Sequence, residues 1–368
     1  MAPKKVLIFS LSYFPMVGGA EVAIKEITTR ISTNDIEWDM VTMRFDKLHP
    51  KFERIGNINV YRIGGGLGYL SKIFFVPQAA LFALRHKYDI FWGMMTYMLF
   101  PIVLTRLCCN RTSYVLTLQD GDPFTHVFGR LRILIFRPLL SYGFKHAVKV
   151  QTISNFLARW ARQMGYKGEV EVIPNGVDVE RFKNPGTKLS GDKVILITTS
   201  RLVEKNAVGD IIEAVKFLPN NFKLQILGSG PLEQELKLKV KSLKLEARVE
   251  FLGEIPNDDL PRYLHQADIF IRPSLSEGQG ISFIEAMAAG LPVIATPVGG
   301  IPDFLKDGET GLFVEPKSPR LIAFQVHKIL SDIVLRDRLI IKAKRMVATK
   351  YDWNLIAGEM SANVFDIV

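Results

Sequence analysis

The sequence has little cysteine and no stretch suited to crossing a membrane, and both absences limit what the protein can be. Two cysteines occur among 368 residues. Because Cys108 and Cys109 are adjacent, an ordinary disulfide framework is excluded. A reducing cytoplasm is the simplest compartment for such a chain. Residues 90–105 carry no charge, but this stretch contains Gly93 and Pro101 and is too short to span a bilayer. We interpret it as a buried strand and a helix.

Acidic side chains are missing from residues 123–168, which hold eight basic residues. The net charge of the chain is +10, and most of it lies in residues 1–182, where 23 Lys and Arg stand against 14 Asp and Glu. Such an excess suits a phosphate-rich partner, either nucleic acid or an anionic membrane surface. The basic residues match no nucleic-acid fold signature, so we expect no nucleic-acid partner.

Residues 124–145, which we name the basic–apolar segment, interleave large apolar and basic side chains. The apolar ones are Phe124, Phe128, Leu131, Leu134, Phe136, Leu139, Leu140 and Phe144. The basic ones are Arg130, Arg132, Arg137 and Lys145. One interpretation is an amphipathic surface for an anionic membrane interface. The other is an ordinary core-packing helix with a basic outer face.

Strand and helix patterns alternate along both halves of the chain, which predicts doubly wound parallel sheets and an α/β fold. A polar, Pro- and Gly-bearing stretch at residues 183–192 separates the halves. We therefore expect a first domain over residues 1–182 and a second over residues 183–351. A helix at 352–368 is expected to pack back onto the first domain. Ligands of such sheets bind beyond the carboxyl ends of the strands, and with two domains we expect the site in the cleft between them.

The densest group of turn signals lies in residues 274–300. Gly280 closes a tight glycine loop, and a helical pattern starts at Ser282. Unpaired backbone N–H groups and the positive end of the dipole make a helix N-terminus a natural seat for phosphate. Two carboxylates, Glu277 and Glu285, flank this seat. Ser282 and Glu285 also have the S-x-x-E spacing of a capping box, which would explain Glu285 without any ligand.

Glu277 and Glu285, with the Ala-Met-Ala-Ala-Gly-Leu-Pro-Val-Ile-Ala that follows, resemble the E-x7-E signature of glycosyltransferase family 4. The resemblance extends over the whole chain and is densest in its second half. It implies the GT-B fold, in which two Rossmann-like domains face each other across a cleft. It also implies transfer of a sugar from a nucleotide-diphosphate sugar to an acceptor, with retention at the anomeric carbon. In this scheme Glu285 holds the ribose hydroxyls and Glu277 contacts the donor sugar.

Two cations follow directly after the strand predicted at residues 194–199. Arg201 could grip a diphosphate by its planar fork and Lys205 as a point charge. Alternatively, they belong to a solvated loop with a surface Arg–Glu pair. Both match the family's R-x3/4-K stretch, which implies that they are catalytic and neutralise the leaving diphosphate.

Further donor-binding residues are implied by the same resemblance: Gly18, Gly19, Ile255, Gly280, Ile281 and Ser282. The first two follow the first strand and match the family's first glycine loop, where the missing side chains allow close approach of the backbone. Ile255 lies where the family offers backbone groups to the nucleotide base. The last three contribute N–H groups to the phosphate seat.

Acceptor-side candidates follow the strand predicted at residues 114–118. Family members often carry a His here that contacts the donor sugar, but in this chain Gln119 occupies the place and His126 is the nearest substitute. Asp120 opens an Asp-Gly-Asp triplet that imitates the D-x-D metal motif of the other large glycosyltransferase fold. We expect an acceptor-facing or turn role for it. No metal is expected, because the cations and the helix N-terminus can supply the positive charge.

The sequence therefore predicts a retaining glycosyltransferase with no cofactor beyond its nucleotide-sugar substrate. The acceptor is unknown, and a lipid-linked or cell-surface glycan precursor is favoured, met at the inner face of the cell membrane by a cytoplasmic monomer or weak dimer. Two alternatives stay open. One is another enzyme on the same scaffold, such as a sugar phosphorylase or nucleotide-sugar epimerase. The other is a non-catalytic nucleotide-sugar binder.

Overall fold

Two compact units divide the chain. The computed structural model describes residues 3–65, 70–108, 110–183 and 193–366, without the side chains of Leu70 and Arg132. The first unit comprises Met1–Asn175 and Trp353–Val368, and the second comprises Gly176–Asp352. The chain therefore leaves the first unit once and returns to it near its C-terminus.

An eight-stranded sheet forms the centre of the first unit. Its strands are β1 (Lys4–Phe9), β2 (Ile36–Met43), β3 (Phe52–Ile55), β4 (Ile58–Ile63), β5 (Ile90–Met94), β6 (Ser113–Leu118), β7 (Lys149–Thr152) and β8 (Val170–Val172). Their spatial order is β3-β4-β2-β1-β5-β6-β7-β8. All neighbouring pairs are parallel except the β3–β4 pair. The order reverses between β1 and β5, which is the switch point of a doubly wound sheet.

Helices cover both faces of this sheet. They are α1 (Gly19–Arg30), α2 (Leu70–Arg85), α3 (Leu99–Leu107), α4 (Phe124–Phe128), α5 (Leu131–Leu134), α6 (Arg137–His146) and α7 (Asn155–Gln163), with a 3₁₀ turn at Thr96–Met98. Successive β1 residues point to opposite faces, so Leu7 and Phe9 join one apolar cluster while Val6 and Ile8 join another. A strand buried on both faces reads as a continuous apolar run, which is why β1 could be recognised in the sequence.

The second unit contains a six-stranded parallel sheet. Its strands are β9 (Val194–Thr199), β10 (Phe222–Leu227), β11 (Val249–Gly253), β12 (Ile269–Arg272), β13 (Val293–Ala295) and β14 (Leu312–Phe313). Their order is β11-β10-β9-β12-β13-β14, which places the switch point between β9 and β12. The helices are α8 (Val208–Val215), α9 (Glu233–Ser242), α10 (Leu260–Gln266), α11 (Ile281–Ala289), α12 (Ile301–Phe304), α13 (Pro319–Ser331) and α14 (Ile333–Lys350), with a 3₁₀ turn at Glu204–Asn206. The predicted pair of doubly wound α/β domains is present.

The junctions between the units differ in detail from the sequence-based boundaries. Residues 176–182 belong to the second unit, because Val177 and Phe182 are buried in its apolar core. Most of the expected linker, residues 184–192, lies outside the described residues. At the other junction, helix α15 (Trp353–Met360) and the π-helical turn Ser361–Phe365 pack within the first unit.

The basic–apolar segment is not a single helix. It forms α4, α5 and α6, and its apolar side chains divide into two groups. Phe128, Leu140 and Phe144 are buried in the core of the first unit. Leu131 and Ile135 are 84% and 76% exposed. The core-packing interpretation therefore holds for the buried group, and the membrane interpretation of the exposed group stays a prediction.

None of the helices in the described ranges combines the length and the apolarity that a membrane crossing requires.

Candidate active site

The carboxyl ends of the parallel strands meet at one edge of the second sheet, and the segments after β9, β11 and β12 carry most of the predicted donor-site residues. Arg201 follows β9 and Glu277 follows β12, so the loops that hold them lie on either side of the switch point. Ile255 follows β11 on one flank, and Gly299 follows β13 on the other. This edge is where doubly wound sheets bind their ligands.

A buried guanidinium joins the loops at this edge. Arg272, the last residue of β12, donates from Nη2 to Glu277 Oε2 at 2.5 Å and to Asn206 Oδ1 at 2.9 Å. Its Nη1 donates to Ser282 Oγ at 2.8 Å. The side chain also lies over the Phe283 ring, 5.3 Å from the centroid. One side chain therefore connects the cationic loop (residues 200–206), the glycine loop (residues 277–280) and the first turn of α11.

Glu277 is buried, with 8% of its surface exposed. While one carboxylate oxygen accepts from Arg272, the other accepts from the Gly278 N–H at 3.0 Å. The backbone of the loop is fixed as well, because the Gly300 N–H donates to the Glu277 carbonyl at 3.0 Å. Gly299 has a φ of +59°, and a Cβ there would lie 1.8 Å from the same carbonyl oxygen. A glycine is required at that position for the loop to close.

Helix α11 begins one residue before the predicted start, and the capping-box interpretation is wrong. The N-cap is Gly280, whose φ of +84° suits glycine, and it makes no side-chain capping bond. Ser282 lies inside the helix and its hydroxyl accepts from Arg272. The N–H groups of Ile281 and Ser282 precede the first intrahelical bond, which Phe283 donates to Gly280. The phosphate seat predicted at this helix N-terminus thus has the expected backbone geometry.

Glu285 lies one turn further along α11 and has no structural partner to explain it. Its carboxylate accepts no hydrogen bond from the described residues. Burial raises the pKa of Glu285 to about 7, although the charges of Arg181 and Arg272 act in the opposite direction. A carboxyl group that is desolvated but lacks hydrogen bonds is typical of a ligand site.

The cationic loop after β9 is held by its backbone. Asn206 Nδ2 donates to the Arg201 carbonyl at 2.6 Å, and the Leu275 N–H donates to the Lys205 carbonyl at 2.6 Å. The Arg201 side chain is exposed and the Lys205 side chain is half-buried. In the described parts of the chain, three buried hydroxyls at this edge have no hydrogen-bond partner: Thr199 Oγ1, Ser200 Oγ and Ser274 Oγ. The edge therefore combines positive charge with unsatisfied polar atoms.

The β10–β11 flank holds Ile255 close to a second glycine turn. The Gly228 N–H donates to the Gly253 carbonyl at 2.6 Å, and Gly228 has a φ of +125°. Ile255 is half-buried against the core of the second unit. Its backbone lies at the same edge as the cationic loop, where the resemblance places the nucleotide base.

The first unit brings two predicted groups to the carboxyl edge of its own sheet. Gly18 is the N-cap of α1 and Gly19 its first residue, and both are exposed. The turn is tight because a Cβ on Gly18 would lie 2.9 Å from Glu21 Oε2, and that carboxylate accepts from Ser12 Oγ at 2.6 Å.

The acceptor-side candidates do not form one cluster of free side chains. Gln119 and Asn175 exchange two amide hydrogen bonds of 3.1 and 2.9 Å, so Gln119 is held in place. Asp120 is buried and accepts from Thr96 Oγ1 at 3.1 Å. Burial raises the pKa of Asp120 to about 6, against the effect of that hydrogen bond. His126 is exposed on α4 and contacts Arg130.

Metal-ligating side chains do not assemble in the described ranges, where no three His, Cys, Asp or Glu residues form a candidate cation site.

Sequence reasoning missed Arg272 and Asn206. A signal was available for the first, since Arg272 places a charge at the end of the apolar run Ile269–Ile271. No local pattern marks Asn206, because its partner Arg272 lies 66 positions away in the chain.

Solved structures define the class of this architecture. The sucrose-phosphate synthase of Thermosynechococcus elongatus superposes with a TM-score of 0.86 at 19% identity, covering 99% of this chain and 100% of that one. Anabaena HepE in complex with UDP-glucose gives a TM-score of 0.82 at 20% identity, covering 98% and 99%. The fold is that of the GT-B glycosyltransferases, as predicted.

Sequence relatives then give the family. The model of Glycosyltransferase Family 4 matches residues 17–181, and the model of Glycosyl transferases group 1 matches residues 179–346. An uncharacterized glycosyltransferase of Methanocaldococcus jannaschii, MJ1607, is 28% identical over 99% of this chain and 98% of its own. The GDP-mannose-dependent alpha-(1-6)-phosphatidylinositol monomannoside mannosyltransferase of Mycobacterium tuberculosis H37Rv is 29% identical over 55% of this chain and 58% of its own. The chain belongs to glycosyltransferase family 4 and is a glycosyltransferase.

Proposed function

We propose that the protein transfers a sugar from a nucleotide-diphosphate sugar to an acceptor with retention of the anomeric configuration, and that the donor binds at the switch point of the second sheet. The observation that carries this proposal is the convergence of the cationic loop, the glycine loop and the N-terminus of α11 at one edge. HepE holds UDP-glucose and the mycobacterial relative is described as GDP-mannose-dependent, which supports a nucleotide sugar as the ligand. Membership of family 4 supports retention.

The diphosphate lies between the first turn of α11 and the cationic loop. The N–H groups of Gly280, Ile281 and Ser282 donate hydrogen bonds to its oxygens, and Arg201 and Lys205 neutralise its charge. Because negative charge on the diphosphate grows as the glycosidic bond breaks, these groups stabilise the transition state more than the bound donor. No divalent metal is required for this electrostatic work.

The two carboxylates of the E-x7-E motif have different tasks. Glu285 accepts hydrogen bonds from the ribose hydroxyls, which supplies the hydrogen bonds that its carboxyl group lacks among the described residues. Glu277 already accepts from Arg272 and Gly278, and its remaining lone pairs accept from hydroxyls of the donor sugar.

A donor screen tests this assignment. Thermal unfolding is followed with UDP, GDP and their common sugar conjugates, and the conjugate that stabilises most is then offered with candidate acceptors. We expect stabilisation by one nucleotide series, transfer without added orthophosphate, and a product whose anomeric coupling matches the donor. A requirement for orthophosphate would identify a phosphorylase instead. An inverted anomeric configuration would overturn retention.

The acceptor is proposed to be a lipid-linked or membrane-surface glycan precursor. The supporting observation is a membrane-facing patch on the first unit, which we define as Arg130, Leu131, Leu134, Ile135, Phe136 and Arg137. Each of these six side chains is exposed, and the apolar ones lie between two cations. Such a combination suits the headgroup region of an anionic leaflet, where the arginines meet phosphates and the apolar groups enter the acyl boundary. The corresponding location is the cytoplasmic face of the cell membrane.

The expected contribution of the charges is modest but measurable. Each basic residue near an anionic leaflet contributes about 1 kcal/mol, so Arg130 and Arg137 together contribute about 2 kcal/mol. That is roughly a 30-fold change in partitioning. High salt should remove this electrostatic contribution to membrane binding and leave the contribution of the apolar side chains.

Sedimentation with phosphatidylglycerol vesicles tests the patch. Replacing Arg130 and Arg137 with Ser should reduce binding by roughly 30-fold at low salt, and replacing Leu131 and Ile135 with Ser should weaken it at low and high salt alike. A matched control replaces two aliphatic residues on α14 of the second unit, Val334 and Ile341, which are 77% and 66% exposed. Equal sedimentation of all variants and the parent would refute the membrane contact.

A further inference from the structure

We propose that Arg272 is a positioning residue of the donor site, which sets the cationic loop, the glycine loop and the first turn of α11 in their binding geometry. This inference rests on the proposed donor site. Arg272 lies outside the E-x7-E and R-x3/4-K motifs, so neither motif assigns it a role.

The geometry of the contacts needs a guanidinium. Arg272 meets three acceptors from three separate segments: Asn206, Glu277 and Ser282. The acceptors are an amide, a carboxylate and a hydroxyl, and they are reached from two terminal nitrogens in one plane. Arginine supplies such a fork, whereas the ammonium of lysine is a single point with three donors on one atom.

Each acceptor is tied to a group proposed to touch the donor. Asn206 Nδ2 donates to the Arg201 carbonyl and follows Lys205 in the chain, so the amide links the guanidinium to both cations. Ser282 belongs to the phosphate seat, and Glu277 is itself the proposed sugar ligand. A shift of Arg272 is therefore transmitted to the groups proposed to hold the diphosphate and the donor sugar.

Burial indicates that Arg272 acts through these neighbours. The residue is 9% exposed, and its Nε is buried without a hydrogen-bond partner among the described residues. The donor could reach little of the guanidinium directly. The alternative is an ion pair that only stabilises the fold, since removing one member of a buried pair leaves an uncompensated charge. That alternative predicts lost stability with unchanged affinity in the protein that stays folded.

A matched control separates the two possibilities. Arg248 is a second guanidinium in the same unit, and it donates to the carbonyls of Leu218, Pro219 and Phe222 at the amino ends of the strands, away from the proposed site. We expect Arg272→Met and Arg248→Met both to lower the unfolding temperature. At a temperature where all variants are folded, Arg272→Met alone should weaken binding of UDP or GDP by at least about tenfold, measured by calorimetry.

Two further variants sharpen the test. Arg272→Lys keeps the charge and loses the fork, so its affinity should fall between those of the parent and Arg272→Met. Asn206→Ala keeps the Arg272–Glu277 pair and removes the amide that joins Arg272 to the Arg201 carbonyl. This variant should also weaken nucleotide binding. It tests the positioning role of Arg272 even if Arg272→Met does not fold.

The outcomes distinguish the two proposals. Parent-like affinity in Arg272→Lys, Arg272→Met and Asn206→Ala would overturn the positioning role and leave the donor site standing. Failure of the parent itself to bind either nucleoside diphosphate would overturn the donor site and this inference with it.

Discussion

Replacing Glu285 with Gln should make the protein more stable at neutral and higher pH while weakening its binding of the nucleotide sugar. The carboxyl group is desolvated in α11, which raises its pKa from an ordinary 4.5 to about 7. Glutamine has a similar shape and cannot ionise. The variant therefore removes the charge of this half-buried side chain without leaving a cavity.

The sign of the effect on folding follows from the raised pKa. Below pH 4.5 the group is protonated in both the folded and the unfolded protein, so it has no electrostatic cost. Between pH 4.5 and about 7 the unfolded chain loses the proton first, and the parent loses stability as the pH rises. Above pH 7 the full electrostatic cost applies, which is on the order of 3 kcal/mol. Glu285→Gln does not lose this stability, because glutamine cannot ionise.

Thermal unfolding at pH 4.5 and pH 8 measures this loss of folding stability. Relative to the parent, Glu285→Gln should gain little at the lower pH and roughly 6 to 12 °C at the higher pH, for a domain of this size. Identical pH dependence in the two proteins would mean that the carboxyl group is not desolvated, and the reasoning would fail.

Donor affinity should respond in the opposite sense. The ribose hydroxyls are proposed to bind the ionised carboxylate, so the parent should lose about tenfold in affinity between pH 8 and pH 6. Glu285→Gln should bind the donor weakly at both pH values. Any change in its affinity with pH reports titration of the ligand, so the variant is the control. Equal affinity of variant and parent at pH 8 would refute the ribose role of Glu285.

Three further predictions concern the same site. Arg201→Ala and Lys205→Ala should each lower kcat by roughly tenfold or more, with smaller effects on donor affinity, because they act on charge that develops in the transition state; unchanged kcat in both would contradict the assignment. Transfer should continue within about twofold in the presence of EDTA, and abolition with rescue by a divalent ion would reopen the metal hypothesis. Gly299→Ala should abolish donor binding measured by calorimetry, because the added Cβ would collide with the Glu277 carbonyl. Gly308→Ala is the control, since Gly308 has a φ of +69° and no atom within 4 Å of an added Cβ. That variant should lose only about 1 kcal/mol in stability and bind the donor as the parent does.

The sequence predicted those parts of the fold that depend on local pattern. The strand predicted at residues 194–199 coincides with β9, because the apolar run Val194–Ile197 stands between the charged residues Lys193 and Arg201. The three-residue β8 and two-residue β14 were not predicted, since so few residues carry no periodicity of their own.

The candidate site was predicted through motifs, and its internal contacts were not. The spacing of Ser282 and Glu285 suited a capping box. The helix instead begins one residue before Ser282, because the N-cap Gly280 adopts a positive φ. The Arg272 network joins residues far apart in the chain, so no window of sequence contains it. Likewise, nothing local distinguishes the exposed Leu131 from the buried Leu140 in the basic–apolar segment.

The return of the chain to the first unit affects the order in which the protein can be completed during synthesis. Phe365 packs edge-on against Trp38 and Trp92, with ring centroids 5.2 and 5.0 Å apart, and Lys4 Nζ donates to the Phe365 carbonyl. A nascent chain that has emerged only as far as residue 352 already contains every strand of both sheets, but these two tryptophans still lack that cover. The N-terminal unit, although translated first, is therefore finished last. A fragment cut at Asn175 would carry an exposed aromatic surface where the last turns of the full chain belong.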